Sequence, residues 1–173
     1  QLAIAARALR AQRLANASVF AWEIAGRFPF PDRAFDAVLF LDVIEHLVPR
    51  VPVLREIGRV LADDGRLLVS GPNRETRWRR TLRAAGLFAY SDPDHKIEYT
   101  REEFLAELAA GGFEPDGEVM PVVVDTPWAG AIDALGGLSL SLYGRLSQWK
   151  RDAALRRPGE STGFRAVARK RRR

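Results

Sequence analysis

The sequence predicts an α/β domain built on an open, doubly wound, mostly parallel sheet with helices on both faces. Three observations carry that expectation. The run FDAVLFLDV (35–43) is continuously apolar in its middle, which suits a strand covered on both faces. A second apolar run, RLLVSG (66–71), follows a stretch in which Val53, Leu54, Ile57, Val60 and Leu61 recur at helical spacing. Strand, crossover helix and strand in that order make a right-handed parallel unit.

The remaining elements are read in chain order. LAIAARALRAQRLA (2–15) is a helix with one broad apolar side, and ASVFAW (17–22) has the β-branched and aromatic content of a short strand. Residues 28–32 form a turn whose two prolines deny regular pairing. ADDG (62–65) stops the crossover helix with a glycine able to take positive φ. RETRWRRTLR (74–83) is a short basic helix. In YTREEFLAELAAGGF (99–113), Thr100 and Glu103 have capping-box spacing and Phe104, Leu105 and Leu108 supply a buried face. GEVMPVVVD (117–125) and TGFRAVARK (162–170) read as strands. Between them, residues 127–158 form a helical insertion before the last strand, divided into two helices at Gly136 and Gly137.

Composition narrows the function classes. The 173 residues contain no cysteine, which excludes thiol chemistry, cysteine metal sites and disulfides and agrees with a reducing, cytoplasmic setting. No apolar run is long enough for a spanning helix. The net charge of +5 resides in RKRRR (169–173), read as a basic tail, which leaves 22 basic residues against 22 acidic ones. A neutral body predicts no specific nucleic-acid partner. The sequence sets no oligomeric state. The chain opens at Gln1 and has a single methionine, Met120, so it reads as the larger part of one domain within a longer protein.

In an open α/β sheet, ligands collect beyond the C-terminal ends of the parallel strands. Asp42 stands at that edge after the first strand, and Ser70, Gly71, Pro72 and Asn73 stand there after the second. The five arginines around Trp78 read as a solvated helix face or as a guanidinium cluster for an anionic ligand. His46 and His95 are the two histidines, and no sequence spacing brings them together, so no metal set is expected.

Three stretches in this order, FPFPDRAFDAVLFLDVIEHL, VLREIGRVLADDGRLLVSGPN and DHKIEYTREEFLAELAAGGF, resemble the class I S-adenosylmethionine-dependent methyltransferases, particularly members acting on small molecules. The resemblance covers residues 1 to about 124 and the last strand. It implies a Rossmann-like fold, S-adenosyl-L-methionine as cofactor and a small-molecule substrate. It also implies N-terminal truncation, since the family's glycine-rich loop and first acidic cofactor residue have no counterpart here and are expected before Gln1.

The resemblance assigns site residues as well. Glu23, Ile24 and Ala25 fall where family members meet the adenine, although Ile24 stands where aspartate is usual and Glu23 one position earlier. Asp42 and Val43 are expected on the cofactor side. His46 is the catalytic candidate, as a group that orients the acceptor or takes its proton, against the plainer reading of a loop-packing histidine. Glu45, Asn73, Arg77, Trp78 and His95 are expected at the substrate mouth, formed by residues 71–95 and the insertion. Two other classes fit the same alternation: an NAD-dependent oxidoreductase, and a non-catalytic or partner-completed methyltransferase-like domain.

Overall fold

The unit expected over residues 35–71 forms. In the computed structural model, which describes residues 2–13 and 15–171, β1 (Phe35–Phe40) passes through a short 3-10 turn (Ile44–His46) into α2 (Arg50–Val60). The chain returns as β2 (Leu61–Pro72), parallel to β1, with Leu39 beside Leu68 and Phe40 beside Val69. Phe35 pairs with Leu61 but Ala37 with Arg66, so residues 62–65 bulge from the ladder. Gly65 does not take the positive φ expected of it; that conformation belongs to Gly86, Gly112 and Gly117 among the glycines. Space requires Gly65 instead, because a Cβ there would lie 2.8 Å from the Leu61 side chain and 3.0 Å from the Asp36 carbonyl oxygen.

The sheet is mixed rather than mostly parallel. Its order is β1-β2-β5-β3, with β5 (Gly163–Lys170) antiparallel to β2, and with β3 (Phe113–Pro115) and β4 (Met120–Pro121) antiparallel to β5. The physical reason lies in where the chain arrives. Gly163 pairs with Pro72, the last residue of β2, so β5 can only run back down the sheet. The strand expected over 117–125 shrinks to β4 and a bridge from Val124 to Ser161, since Gly117 at φ 108 and the donorless Pro121 interrupt it. Residues 17–22 form no strand. Phe20 and Trp22 pack edge-to-face against Phe28 and Phe30 instead, with ring centroids 5.5–5.9 Å apart.

The core occupies one face of the sheet. Val53, Leu54 and Ile57 of α2, with Phe104 and Leu108 of α4 (Arg101–Ala110), pack on Phe40, Leu67, Val69, Ala166 and Ala168. Burying each large side chain is worth about 1.5–3 kcal/mol. On the opposite face Leu39 is 69% and Val167 42% exposed, so β1 is not covered on both sides. The N-terminal helix α1 (Leu2–Ala11) buries none of its residues.

The Thr100–Glu103 capping box forms as expected at the start of α4. Residues 127–158 hold two helices, α5 (Ala129–Leu138) and α6 (Leu140–Arg156). The break between them falls at Ser139, whose hydroxyl caps the Leu142 N–H, while Gly136 and Gly137 lie inside α5. Arg169 and Lys170 close β5, paired with Glu114 and Asp63, rather than beginning a tail; residues 172 and 173 lie outside the described residues.

Candidate functional site

β1 and β2 are parallel neighbours, so their C-terminal ends open on one side, and a cleft of about 350 Å³ lies there. Asp42, Glu45 and His46 line it from the end of β1, Ser70 to Pro72 from β2, and Ser91, Asp92 and His95 from the loop before α4. The backbone turns sharply at Asp42, which adopts φ 54, a left-handed conformation that aspartate tolerates better than most residues. Its N–H donates to the Ser70 hydroxyl at 2.9 Å, and the Ser70 hydroxyl donates to the Asp42 carboxylate at 3.0 Å.

The two histidines meet, contrary to the expectation from sequence. Their ring centroids are 4.8 Å apart, and His95 Nε2 lies 3.9 Å from Glu45 Oε1. The contact is made through the backbone: the Glu45 carbonyl accepts from the Lys96 N–H at 2.7 Å, which draws the 95–97 segment onto the 3-10 turn. Glu45 is 4% exposed, and burial pushes its carboxyl above the ordinary range despite its own backbone N–H and the nearby His95. Its Oε2 has no hydrogen-bond partner among the described residues.

Glu98 fixes His95 and was not among the residues read from sequence. It is fully buried, and its Oε1 accepts from the Ser91 N–H at 2.5 Å, the Ser91 hydroxyl at 2.6 Å and His95 Nδ1 at 3.0 Å. The spacing of His95 and Glu98, three residues apart in DHKIEYT, is the signal that could have found it. An oxygen already taking two donors assigns the proton to Nδ1 and leaves Nε2 as the free nitrogen.

The other expected residues separate from this cleft. Asn73 is buried and fastens the end of β2 to the chain entering β5: its amide donates to the Gly159 and Ser161 carbonyls at 3.2 and 2.9 Å, and its oxygen accepts from Glu75 N–H. Arg77 and Trp78 open α3 (Arg77–Ala84) and line a different cleft with Asp125, Pro127, Arg157 and Glu160. Much of the arginine cluster is spent internally. Arg74 pairs with Glu103, Arg83 with Glu75, and the nearly buried Arg79 with Asp125. Those partners are remote in sequence, apart from Glu75, so the run looked more basic than it is.

The Glu23–Ala25 turn is closed locally, the Glu23 carboxylate accepting from the Ala25 N–H at 3.3 Å. Glu23 and Ala25 are exposed, and Ile24 is half-buried against the core.

Comparison with known proteins follows the same architecture. A family described as a methyltransferase domain matches residues 1–69. The chain is 36% identical over 85 residues to a probable S-adenosylmethionine-dependent methyltransferase of Mycobacterium tuberculosis, covering 49% of this chain and 29% of that protein. It is 29% identical over 133 residues to 27-O-demethylrifamycin SV methyltransferase of Amycolatopsis mediterranei, covering 69% of this chain and 44% of that protein. The chain thus spans less than half the length of these curated relatives. Among solved structures, the 4+2 cyclase SpnF aligns with a TM-score of 0.63 at 21% identity, over 98% of this chain and 62% of that one. A S-adenosylmethionine-dependent methyltransferase from Aquifex aeolicus aligns with a TM-score of 0.58 at 17% identity, over 96% of this chain and 62% of that one. The strand and helix order, the motifs of 28–113 and these relatives agree: the chain is similar to S-adenosylmethionine-dependent methyltransferases in sequence and shares their α/β fold.

Proposed function

We propose that this protein transfers a methyl group from S-adenosylmethionine to a small or medium-sized molecule. The observation that carries the reading is the cleft at the shared ends of β1 and β2, where Asp42 and the histidine pair face one opening. One relative, the 27-O-demethylrifamycin SV methyltransferase, is named for a small-molecule substrate, and that favours the same class here.

The chemistry of the donor set fits the cofactor. S-adenosylmethionine presents an ammonium group, ribose hydroxyls and an adenine amine, all hydrogen-bond donors, and the exposed carboxylates of Glu23 and Asp42 are acceptors. Asp42 and Val43 would hold it at the end of β1, and Glu23 with the backbone of Ala25 would hold it at the preceding turn. When bound, the cofactor supplies an already electrophilic methyl group, so the protein has mainly to align the acceptor and exclude water. His46, exposed at the mouth, is the group proposed to touch the acceptor, with Glu45 and His95 behind it. Arg77 and Trp78, at the root of the helical insertion, are proposed to hold an outer, anionic or aromatic part of the substrate.

The test is transfer of labelled methyl across metabolite, protein and RNA fractions. Label appearing in small molecules is the expected result. Label confined to protein or RNA would overturn the substrate class, and absence of cofactor binding by the full-length protein, measured by calorimetry, would overturn methyl transfer itself.

A further inference from the structure

Within the cleft at the end of β1, three side chains converge in a way that methyl transfer does not require. Glu45, His46 and His95 each offer one ligand atom, and these atoms all lie within 4.8 Å of one another. Glu45 is 4% exposed, yet its Oε2 has no hydrogen-bond partner among the described residues, a costly arrangement for a buried carboxyl without a cation. His95 is held as metal-ligating histidines are held: Nδ1 donates to the fully buried Glu98, which orients the ring and leaves Nε2 on the side of Glu45.

We propose that Glu45, His46 and His95 form a binding site for one divalent transition-metal cation. A carboxylate with two neutral imidazoles suits Zn²⁺, Mn²⁺, Fe²⁺ or Co²⁺ better than Mg²⁺, which prefers oxygen ligands and keeps its water. Ligand atoms about 2.1 Å from a shared ion stand roughly 3–4 Å apart, and His95 Nε2 and Glu45 Oε1, 3.9 Å apart, already have that spacing. Three protein ligands leave further coordination positions open towards the cleft, where water or an oxygen of a bound molecule is able to enter. Cation capture stands on these residues alone and does not depend on the methyl-transfer reading.

The test uses metal-free protein titrated with Zn²⁺ by calorimetry, and with Co²⁺ followed by visible absorption. The expected result is uptake of one equivalent of Zn²⁺ and ligand-field bands for Co²⁺ that shift in His46→Gln. His95→Ala is expected to lose binding, and Glu98→Gln, which changes the acceptor shared by His95 and Ser91, to weaken it about 10–100-fold. His46 is exposed, so its variant tests the site even if His95→Ala fails to fold. Absence of stoichiometric uptake, or uptake that His46→Gln and Glu98→Gln leave unchanged, would overturn the proposal.

Discussion

Asp42 and Ser70 bond each other reciprocally, N–H to hydroxyl at 2.9 Å and hydroxyl to carboxylate at 3.0 Å, and so lock the ends of β1 and β2 together at the mouth of the cleft. Ser70 is buried, so Ser70→Ala strands the Asp42 N–H and should cost about 1–2 kcal/mol. Asp42→Gly loses the carboxylate bond but relieves the left-handed backbone, and should cost less. Urea midpoints rank the two, and the reverse order would place the strain elsewhere.

Gly111 and Gly112 end α4 for different reasons. At Gly111, φ is −76 but a Cβ would fall 2.5 Å from the Leu54 Cβ; at Gly112, φ is 90 and the surrounding space is open. Gly111→Ala should destabilise by about 1–3 kcal/mol through overpacking, and Gly112→Ala by about 1 kcal/mol through backbone strain. Asparagine, which tolerates the left-handed region, should recover part of the loss at Gly112 and none at Gly111. Thermal unfolding of the four variants checks this.

The capping box makes α4 sensitive to acid. Hydrogen bonding from the Thr100 N–H, with Arg74 beside it, holds the Glu103 carboxyl below its ordinary range. A depressed folded-state pKa contributes stability above the unfolded value of about 4.3 and loses it as pH falls through the folded value. Glu103→Gln should therefore lower stability at pH 7 and shrink its deficit in the acid range. Thr100→Ala should cost about 1 kcal/mol at pH 7. Denaturation curves at both pH values provide the measurement.

Asn73 clamps the end of β2 to the chain entering β5. Asn73→Ala leaves the Gly159 and Ser161 carbonyls without their donor and should cost about 1–3 kcal/mol. Asn73→Asp turns an acceptor towards those two carbonyls and should be worse at neutral pH. Equal or smaller loss in the aspartate variant, measured by urea denaturation, would show that the bonds do not bear on stability.

The β1, α2, β2 unit was legible because local patterns determine it: two apolar runs and one helical stripe between them. The direction of β5 was not, because it depends on the insertion delivering Gly163 beside Pro72, a fact of tertiary path rather than of local pattern. The site divides along the same line. Asp42, Glu45 and His46 stand directly after a strand and were found, whereas the meeting of His46 with His95 rests on a backbone bond between Glu45 and Lys96, fifty-one positions apart. The fastening role of Asn73 was not legible, because a polar side chain after a strand suits ligand binding and loop fastening alike, and its partners Gly159 and Ser161 lie far along the chain.

The uncovered side of the sheet has a practical consequence for handling the protein. Leu39 and Val167 face solvent there, β1 has a paired neighbour on one side only among the described residues, and Phe20 and Trp22 add aromatic surface nearby. A free strand beside apolar side chains invites edge-to-edge association. This chain prepared alone should therefore sediment as larger species as its concentration rises, and Leu39→Lys should keep it dispersed without weakening the α2 and α4 core on the other face.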